Sequence, residues 1–238
     1  EMNDILSPLR RAVKDYDMIK DGDRVCVGVS GGKDSVLLLV ALSRLSKFYP
    51  KKFEVFGYTV DAGKEPTDFS SVSELCKREN IEYHIEKTDI FEIVFDRKKE
   101  ENPCSLCSTM RRGALCNGAR KLGATVLAFG HHNDDVLETF MLNLINGGRL
   151  GCFQPVTDYD GGALRVIRPF IYVSEQKIRS CVKRNGLPVV KSICPVDGHT
   201  QRQEMRNLIS SIEKENKGAK KRMFGALCRS GLDGWKEF

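Results

Sequence analysis

A glycine-rich turn between two apolar segments constrains the fold of this chain more than any other feature. Residues 24–30, RVCVGVS, have the length and apolar character of a buried strand, and leucines recur at helical spacing in residues 35–48. Glycines let the backbone approach a ligand closely, and the N-terminus of a helix offers unpaired N–H groups to an anion. The turn therefore predicts a phosphate cradle formed by Ser30, Gly31, Gly32, Lys33, Asp34 and Ser35.

Two other interpretations of the turn are weaker. A plain glycine turn with a helix cap does not need a lysine, and Lys33 adds a positive charge beside the glycines. In the Walker loop of kinases and GTPases, a longer spacer separates the first glycine from the Gly-Lys-Ser/Thr group. The spacing therefore disfavours a kinase or a GTPase.

Strand-like and helix-like segments alternate along the chain. The pattern predicts further strands at residues 53–60, 81–86 and 124–129. It predicts helices at residues 66–80, 108–122 and 133–145. Such repetition indicates an α/β fold in which helices cover both faces of a doubly wound, parallel, Rossmann-like sheet. Ligands bind at the carboxyl ends of the strands in such sheets, where the glycine-rich turn lies.

Charge is distributed unevenly along the chain. The net charge is +6, yet residues 174–238 alone carry 14 Lys and Arg against 7 Asp and Glu. A basic segment indicates contact with a polyanion such as a nucleic acid, with residues 214–222 as a backbone-binding stripe, but it is also typical of a solvated face. We divide the chain into a helical N-terminal lead (1–23), a nucleotide-binding α/β domain (24–173) and a small, basic, helical C-terminal extension (174–238).

Composition favours a protein of the cytoplasm. The hydrophobic fraction is 41% and the charged fraction is 29%, and no apolar run is long enough to cross a bilayer. The first residues lack the apolar stretch of a secretory signal, so we expect neither export nor membrane contact. Nine cysteines in such a protein favour metal binding or reactive thiols over a disulfide framework.

Cys104 and Cys107 have the spacing of metal ligands. A Cys-x-x-Cys pair lets two thiolates reach one metal ion or cluster, and Pro103 stiffens their approach. Structural zinc, with His199 or Cys116 as a further ligand, and a redox pair are the alternatives. Cysteines without a partner at metal spacing are expected to be buried as small hydrophobic residues: Cys26, Cys76, Cys152 and Cys181.

Charged residues near helix starts are further candidates. Asp134 and Asp135 open a helix after the fourth strand, where a carboxylate either binds Mg²⁺ on the phosphates or caps the helix. Arg111 and Arg112 follow the cysteine pair and suit phosphate oxygens, although arginines are also common on solvated helices. His131 either lines a nucleotide pocket or has a structural role.

The segment SGGKDS resembles the PP-loop of the ATP pyrophosphatase family, whose members cleave ATP between the α and β phosphates. A wider set of motifs, spread from Arg24 to Arg206, resembles the tRNA 2-thiocytidine synthetase branch of that family. These motifs are CSLCSTMRRG at 104–113, LGA at 122–124, GHHNDD at 130–135, ET at 138–139 and NGG at 146–148. Because their combination is far more specific than any single motif, the chain is identified as a member of this branch.

The resemblance implies a PP-loop fold of the adenine nucleotide alpha hydrolase type, with roles for individual residues. Residues implied to bind ATP outside the cradle are Val60, Asp61, Gly130, His131 and Asp135. Residues implied in catalysis, with Mg²⁺ on the phosphates, are Asp34, Arg111 and Asp134. Cys194 is implied to complete, with the cysteine pair, a three-ligand 4Fe-4S site that leaves one iron open. The family commonly carries another cysteine near this one, whereas Asp197 and Gly198 stand here.

The resemblance also implies a reaction and its partners. In the reaction that these motifs imply, O2 of a cytidine at position 32, in the anticodon loop of tRNA, attacks the α-phosphate of ATP. Pyrophosphate leaves, and sulfur then displaces AMP. The sulfur donor is sulfide or the persulfide of a cysteine desulfurase, and a homodimer is expected. The alternatives are thiolation of a uridine, carbon–nitrogen bond formation as in lysidine or amide synthesis, and a sensor that holds ATP and a cluster without turnover.

Overall fold

The computed structural model describes residues 2–63, 67–98, 103–190 and 201–237. The strands are β1 (Asp23–Gly28), β2 (Phe53–Asp61), β3 (Glu82–Lys87), β4 (Val126–Ala128), β5 (Val156–Tyr159) and β6 (Leu164–Ile167). They form one sheet with the spatial order β3-β2-β1-β4-β6-β5. All neighbouring strands are parallel except β5 and β6, which are antiparallel.

Helices flank this sheet throughout the described ranges. They are α1 (Met2–Asp15), α2 (Lys33–Ser46), α3 (Ser70–Glu79), α4 (Pro103–Lys121), α5 (Asn133–Ile145), α6 (Glu175–Arg184), α7 (Gln201–Glu215) and α8 (Ala219–Ser230). A π-helical segment, Glu92–Lys98, precedes α4. The predicted α/β fold is confirmed, and the sheet is parallel as predicted except for the antiparallel pair of β5 and β6. None of the described helices is long and apolar enough to span a membrane.

Two apolar clusters fill the space on the two faces of the sheet. Alternate residues of β1 point to opposite faces, so Val25 and Val27 join one cluster and Cys26 joins the other. Helices α1, α2 and α6 contribute to the first cluster, and α4 contributes to the second. The first cluster contains residues from all three ranges into which we divided the chain, and that division stays a prediction.

Helix α2 is buried on all sides. Residues 36–42 are fully shielded from solvent, which is typical of a helix that other elements cover completely. Ile5 and Leu9 of α1 belong to the same cluster and help to cover the side that faces away from the sheet. Because α2 is enclosed in this way, its N-terminus holds the glycine-rich turn at the carboxyl end of β1.

The sequence predicted the central elements better than the edge of the sheet. Helix α3 begins at Ser70 rather than at residue 66, and α4 begins at Pro103 rather than at residue 108. Strands β5 (VTDY) and β6 (LRVI) were not predicted, because each has only 4 residues and includes a charged residue, so neither shows an uninterrupted apolar run like that of β4. They extend the sheet beyond β4 and bring further side chains to its carboxyl edge.

Ion pairs connect the C-terminal helices to the sheet domain. Arg206 of α7 lies 2.7 Å from the carboxylate of Glu138, which is only 2% exposed. Lys220 of α8 lies 2.8 Å from the carboxylate of Asp134. Both carboxylates belong to α5, so the basic extension is attached to a helix that starts at the carboxyl edge of the sheet.

Glu175, the first residue of α6, provides a test of these charged contacts through pH. Burial opposes its charge, but hydrogen bonds from Arg179 and Lys33 lower the pKa of its carboxyl to about 2 from the ordinary 4.5. Because the folded pKa lies below the unfolded value, this stabilisation is complete above pH 4.5 and is lost as the pH falls towards 2. We expect Arg179→Met to raise the pKa of Glu175. The free energy of unfolding of this variant should therefore fall less between pH 4.5 and pH 2 than that of the unsubstituted protein.

Urea unfolding at a series of pH values measures this difference. Lys183→Met is the matched control, because Lys183 is exposed at the other end of the same helix and should leave the pH profile unchanged. A profile of Arg179→Met that overlies that of the unsubstituted protein would contradict the assignment.

Candidate active site

A cavity of about 720 Å³ opens at the carboxyl ends of the central strands. Its walls come from the turn after β1, the end of β2, one face of α4, the loop between β4 and α5, and the turn after β6. These elements are distant in sequence, and the parallel sheet brings them to one edge. The predicted site residues that line the cavity are Ser30, Asp34, Ser35, Val60, Arg111, Gly130, His131 and Asp135.

Hydrogen bonds within the glycine-rich turn fix its shape. The Ser35 hydroxyl donates to the carbonyl of Gly32 at 3.0 Å, and its oxygen accepts from the N–H of Ser30 at 3.1 Å. Gly31 has a φ of +83°, and a Cβ there would lie 2.8 Å from the Cβ of Val190, so glycine fits without strain. Gly32 is the N-cap of α2 and has no side chain, which leaves the first helical N–H groups to an anion.

Lys33 lies at the outer edge of this turn. Its Nζ is 2.9 Å from Oδ2 of Asp34 and 3.0 Å from Oε1 of Glu175. Burial works against its charge, but the two carboxylates raise the pKa of Lys33 and keep it protonated. Gly31, Gly32 and Lys33 belong to the turn but lie outside the cavity lining. Lys33 therefore links the turn to α6.

Asp34 and Asp135 face the cavity from the first turns of α2 and α5. Gly130 allows this approach, because a Cβ there would lie 3.1 Å from the carbonyl carbon of Asp34. Oδ1 of Asp34 is buried and has no hydrogen-bond partner among the described residues. Burial is the main cause that raises the pKa of Asp135, and the charge of Asp34 adds to it. A carboxylate pair with an unsatisfied oxygen fits a hard cation such as Mg²⁺, which prefers oxygen ligands.

Asp134 lines a different cavity, of about 980 Å³, together with residues of α6 and α8. It accepts a hydrogen bond from the backbone N–H of Glu175 at 2.8 Å and from Lys220 at 2.8 Å. Burial opposes its charge, but these two donors lower the pKa of Asp134. The sequence suggested Asp134 for the phosphate-bound cation, whereas the geometry favours Asp135 for that role and makes Asp134 an anchor for the C-terminal helices.

Guanidinium groups form a positive wall opposite the carboxylates. Nη1 of Arg112 donates to the hydroxyl of Tyr159 at 3.3 Å. Burial lowers the pKa of Arg168 to about 10, and nearby Arg112 adds to this effect, but the group stays charged at neutral pH. A polyanion such as a phosphate chain can bind here in two ways at once. The arginines contact its oxygens directly, and a cation links other oxygens to the carboxylates. The arginines in the lining are Arg111, Arg112, Arg168 and Arg202.

His131 and His132 have different roles, one in the cavity lining and the other at the start of α5. His132 is the N-cap of α5, and Nδ1 of its ring accepts a hydrogen bond from the backbone N–H of Asp135. The backbone N–H of His132 donates in turn to the Asp135 carboxylate. His131 lines the cavity instead. Burial, with the positive charges of Arg168 and Arg202, lowers the pKa of His131 to about 3. Its ring is therefore neutral at physiological pH.

The side chains of Val60 and Asp61, the last two residues of β2, point to opposite faces of the sheet. Val60 lines the cavity, whereas Asp61 is outside the lining and only 5% exposed. The carboxylate of Asp61 accepts long hydrogen bonds, of 3.4 Å each, from the N–H of Gly63 and the hydroxyl of Thr67. The contact of Asp61 with adenosine stays a prediction.

Cys107 lies near the start of α4, next to the cavity residue Ser108. Cys104 lies one turn earlier on this helix, but its side chain is outside the described part of the structure. Cys194 and His199 also lie outside the described residues. Within the described ranges, no group of three or more His, Cys, Asp and Glu residues is arranged to hold a metal ion. The three-cysteine site therefore stays a prediction.

The described residues on either side of the segment 191–200, which contains Cys194, lie at the glycine-rich turn and at the cavity. Before it, the N–H of Val190 donates to the carbonyl of Gly31 at 2.9 Å. After it, Arg202 lines the cavity from the first turn of α7. The cysteines expected to be buried are at most 9% exposed, as predicted, and they are Cys26, Cys76, Cys152 and Cys181.

Sequence reasoning assigned no role to several polar or aromatic lining residues. Three of them, Phe153, Tyr159 and Arg168, lie in or beside β5 and β6, the strands that the pattern did not predict. A signal for Arg168 was present, since it is a charged residue directly after the segment LRVI at residues 164–167, in which all residues but Arg165 are apolar. The polar or aromatic lining residues without a predicted role are Tyr58, Ser108, Phe129, Thr139, Phe153, Tyr159, Arg168 and Arg202.

Comparison with known proteins agrees with this geometry. Residues 4–212 match the family described as PP-loop domain. A tRNA-cytidine(32) 2-sulfurtransferase of Geobacter sulfurreducens is 38% identical over 226 residues, which cover 94% of this chain and 88% of that protein. A protein of the same name from Stutzerimonas stutzeri is 38% identical over 231 residues and covers 94% of this chain and 84% of its own length.

Solved structures are similar over nearly the whole chain. The U34-tRNA thiolase NcsA from Methanococcus maripaludis, solved with its 4Fe-4S cluster, matches with a TM-score of 0.75 and 25% identity and covers 94% of this chain and 78% of its own. The NH3-dependent NAD synthetase from Campylobacter jejuni, at 14% identity and a TM-score of 0.51 over 95% of this chain and 92% of its own, shares the fold alone. The chain therefore belongs to the PP-loop domain family, in the group that contains the tRNA-cytidine 2-sulfurtransferases.

Proposed function

We propose that this chain is an ATP-dependent tRNA sulfurtransferase that replaces O2 of a cytidine with sulfur, at position 32 as the names of its relatives state. One observation carries the proposal: a single cavity joins the PP-loop, the carboxylates of Asp34 and Asp135, and the face of α4 that follows Cys107. Thiolation of a base needs a nucleotide that activates the oxygen and a sulfur atom delivered to the same carbon. The cavity offers room for both.

ATP would bind with its phosphates on the PP-loop and its adenosine towards Val60. The N–H groups at the start of α2 would bind phosphate oxygens, as helix N-termini do for anions. Asp34 and Asp135 would hold Mg²⁺, which neutralises phosphate charge when bound. Lys33, whose Nζ contacts Asp34 and Glu175 in this structure, would supply positive charge to the phosphates from its place in the loop.

The first chemical step would join the base to AMP. O2 of the cytosine forms a bond to the α-phosphorus, the bond from that phosphorus to the bridging oxygen breaks, and pyrophosphate leaves with the electron pair. Arg111 and Arg112 would stabilise the negative charge that develops on the phosphate oxygens. The oxygen of the base becomes part of AMP, which is a far better leaving group.

Cys104, Cys107 and Cys194 would hold a 4Fe-4S cluster beside this cavity. Two of them are one helical turn apart on α4. In the sequence the third lies between Val190, which contacts the PP-loop, and Arg202, which lines the cavity. When bound, the cluster supplies an open iron that carries the sulfur. Sulfur then forms a bond to C2, the bond from C2 to oxygen breaks, and AMP leaves.

The basic extension would bind the tRNA backbone. In the stripe at residues 214–222, Lys214, Lys217, Lys221 and Arg222 are exposed. Exposed cations of this kind bind phosphates and make affinity dependent on salt. The persulfide donor and the homodimer are further parts of the proposal that the resemblance suggests.

Nucleoside analysis tests the reaction directly. The anaerobically purified protein is incubated with ATP, Mg²⁺, sulfide and tRNA, and the digested RNA is examined by mass spectrometry. We expect 2-thiocytidine and an equal amount of AMP. The appearance of 2-thiouridine would make the chain a uridine thiolase like NcsA, a nitrogen adduct would indicate lysidine-type chemistry, and ATP binding without AMP would indicate a sensor.

The carboxylates provide a sharper prediction. We expect Asp34→Asn and Asp135→Asn to slow AMP formation by at least about 100-fold, because each removes charge at the proposed cation. Asp134→Asn is the matched control and should slow it by less than about threefold, since Asp134 contacts Lys220 outside the cavity. Equal losses at positions 134 and 135 would contradict the geometric assignment.

Iron analysis tests the cysteines without any turnover. We expect the anaerobic protein to contain about four irons and matching sulfide, and Cys104→Ala, Cys107→Ala and Cys194→Ala each to lose them. Cys116→Ala is the control on the same helix and should keep the cluster. Stoichiometric zinc in place of iron, or a cluster that survives all three substitutions, would refute this part of the proposal.

A further inference from the structure

The cavity continues beyond the end that would hold ATP. The strand order places β2 and β1, with Val60 and the PP-loop, on one side, and β4 followed by β6 on the other. The wall on the second side is built from Phe129 and His131 after β4, Phe153 before β5, and Arg168 after β6. With ATP on the first side, this wall faces the room that is left for a second reactant.

Flat side chains in this wall are arranged in a row. The ring centroids of His131 and Phe153 are 5.1 Å apart with an interplanar angle of 35°, and those of Phe129 and His131 are 5.8 Å apart. The guanidinium carbon of Arg168 lies 5.1 Å from the centroid of Phe153. Nη1 of Arg168 donates to the carbonyl of Gln154 at 2.6 Å, which fixes the guanidinium in place. The wall thus offers preformed stacking surfaces.

Three polar atoms of the same cavity are buried without a hydrogen-bond partner in the described part of the chain. They are Nδ1 of His131, Oγ1 of Thr139 and Nε of Arg168. Leaving a buried polar atom unpaired costs stability, and native proteins keep few of them. Because all three residues line one cavity, a ligand that supplies their partners explains why they are retained.

We propose that Phe129, His131, Thr139, Phe153 and Arg168 form the subsite that holds the unstacked cytosine base of the RNA. This inference rests on the proposed function and adds the residues that bind its acceptor. Cytosine has a flat face for the rings, a donor in its exocyclic amine, and acceptors in N3 and O2. Arg168 donates, the Thr139 hydroxyl does both, and the neutral His131 ring has one accepting nitrogen.

Other ligands match this wall less well. A phosphate group would use the arginines, but it gains nothing from aromatic rings or from a histidine that is neutral. The adenine of ATP is proposed to lie near Val60, at the end of β2. To reach this wall it would have to lie on the opposite side of the PP-loop, beyond β4. A base removed from its stack is typically held between flat side chains and hydrogen-bonded at its edge. His131, which the sequence suggested for the nucleotide, is therefore assigned to the acceptor base.

The test compares two anticodon stem-loop RNAs that differ only at the target nucleotide, which is cytidine in one and abasic in the other. Binding of both is measured at one salt concentration, and ATP binding is measured separately by calorimetry. We expect the unsubstituted protein to prefer the cytidine RNA, and Phe153→Leu to reduce that preference roughly five- to tenfold, because stacking on one aromatic ring contributes a factor of this size.

Thr139→Val separates base recognition from folding. Valine has the shape of threonine, and the hydroxyl that it removes has no partner in the described structure, so the protein should stay as stable as before. We expect a loss of the cytidine preference of about fivefold, its recovery in Thr139→Ser, and unchanged ATP affinity. Phe48→Leu is the control for Phe153→Leu, because Phe48 is 55% exposed and follows α2 at the opposite edge of the sheet.

Three outcomes would overturn the inference. If the unsubstituted protein makes 2-thiocytidine but both variants keep its full cytidine preference, the subsite is wrong and the proposed function stands. If the variants weaken ATP binding as much as RNA binding, these residues serve the nucleotide. If the unsubstituted protein neither prefers cytidine nor thiolates any RNA, the proposed function fails and the subsite fails with it.

Discussion

The close approach of the loop after β4 to the PP-loop is the constraint on which the rest of the site depends. Strands β1 and β4 are parallel neighbours, so the two loops leave the sheet side by side. Gly130 lets them touch, since a Cβ there would lie 3.1 Å from the carbonyl carbon of Asp34. This contact is what places Asp34 and Asp135 in one cavity. A larger side chain at position 130 would separate the carboxylates that are proposed to share a cation.

The charges around this contact are divided between two cavities. Asp34 and Asp135 face the arginines of the first cavity, and an unsatisfied oxygen of Asp34 is available to a ligand. Asp134 lies in the second cavity, where Lys220 neutralises it. Since opposite charges attract at short range and like charges repel, this division keeps the carboxylates of α5 from competing for one cation. Lys33 lies between the two cavities, since it pairs with Asp34 of the first and with Glu175 of the second.

The C-terminal segment supports the wall that is proposed to hold the base. The indole N–H of Trp235, which is 1% exposed, donates to the carbonyl of Phe153 at 3.1 Å. The carboxylate of Asp233 accepts from the N–H of Cys152 at 2.7 Å. A chain end that is held by burial and by two hydrogen bonds therefore fixes the position of Phe153. The basic extension thus has a structural role in the site as well as a proposed role in binding RNA.

The sequence by itself determined the α/β fold and the PP-loop, because each is a local pattern that follows from adjacent residues. The central strands were predicted within a few residues for the same reason. The sequence also predicted the metal-binding role of Cys104 and Cys107 from their spacing. Only the tertiary structure decided that Asp135 rather than Asp134 faces the cavity, because neighbouring positions on a helix point about 100° apart and the partners that select between them are far away in sequence. It also brought Phe153 and Arg168 to the site, since the short strands β5 and β6 acquire their position from the sheet they join and not from their own pattern.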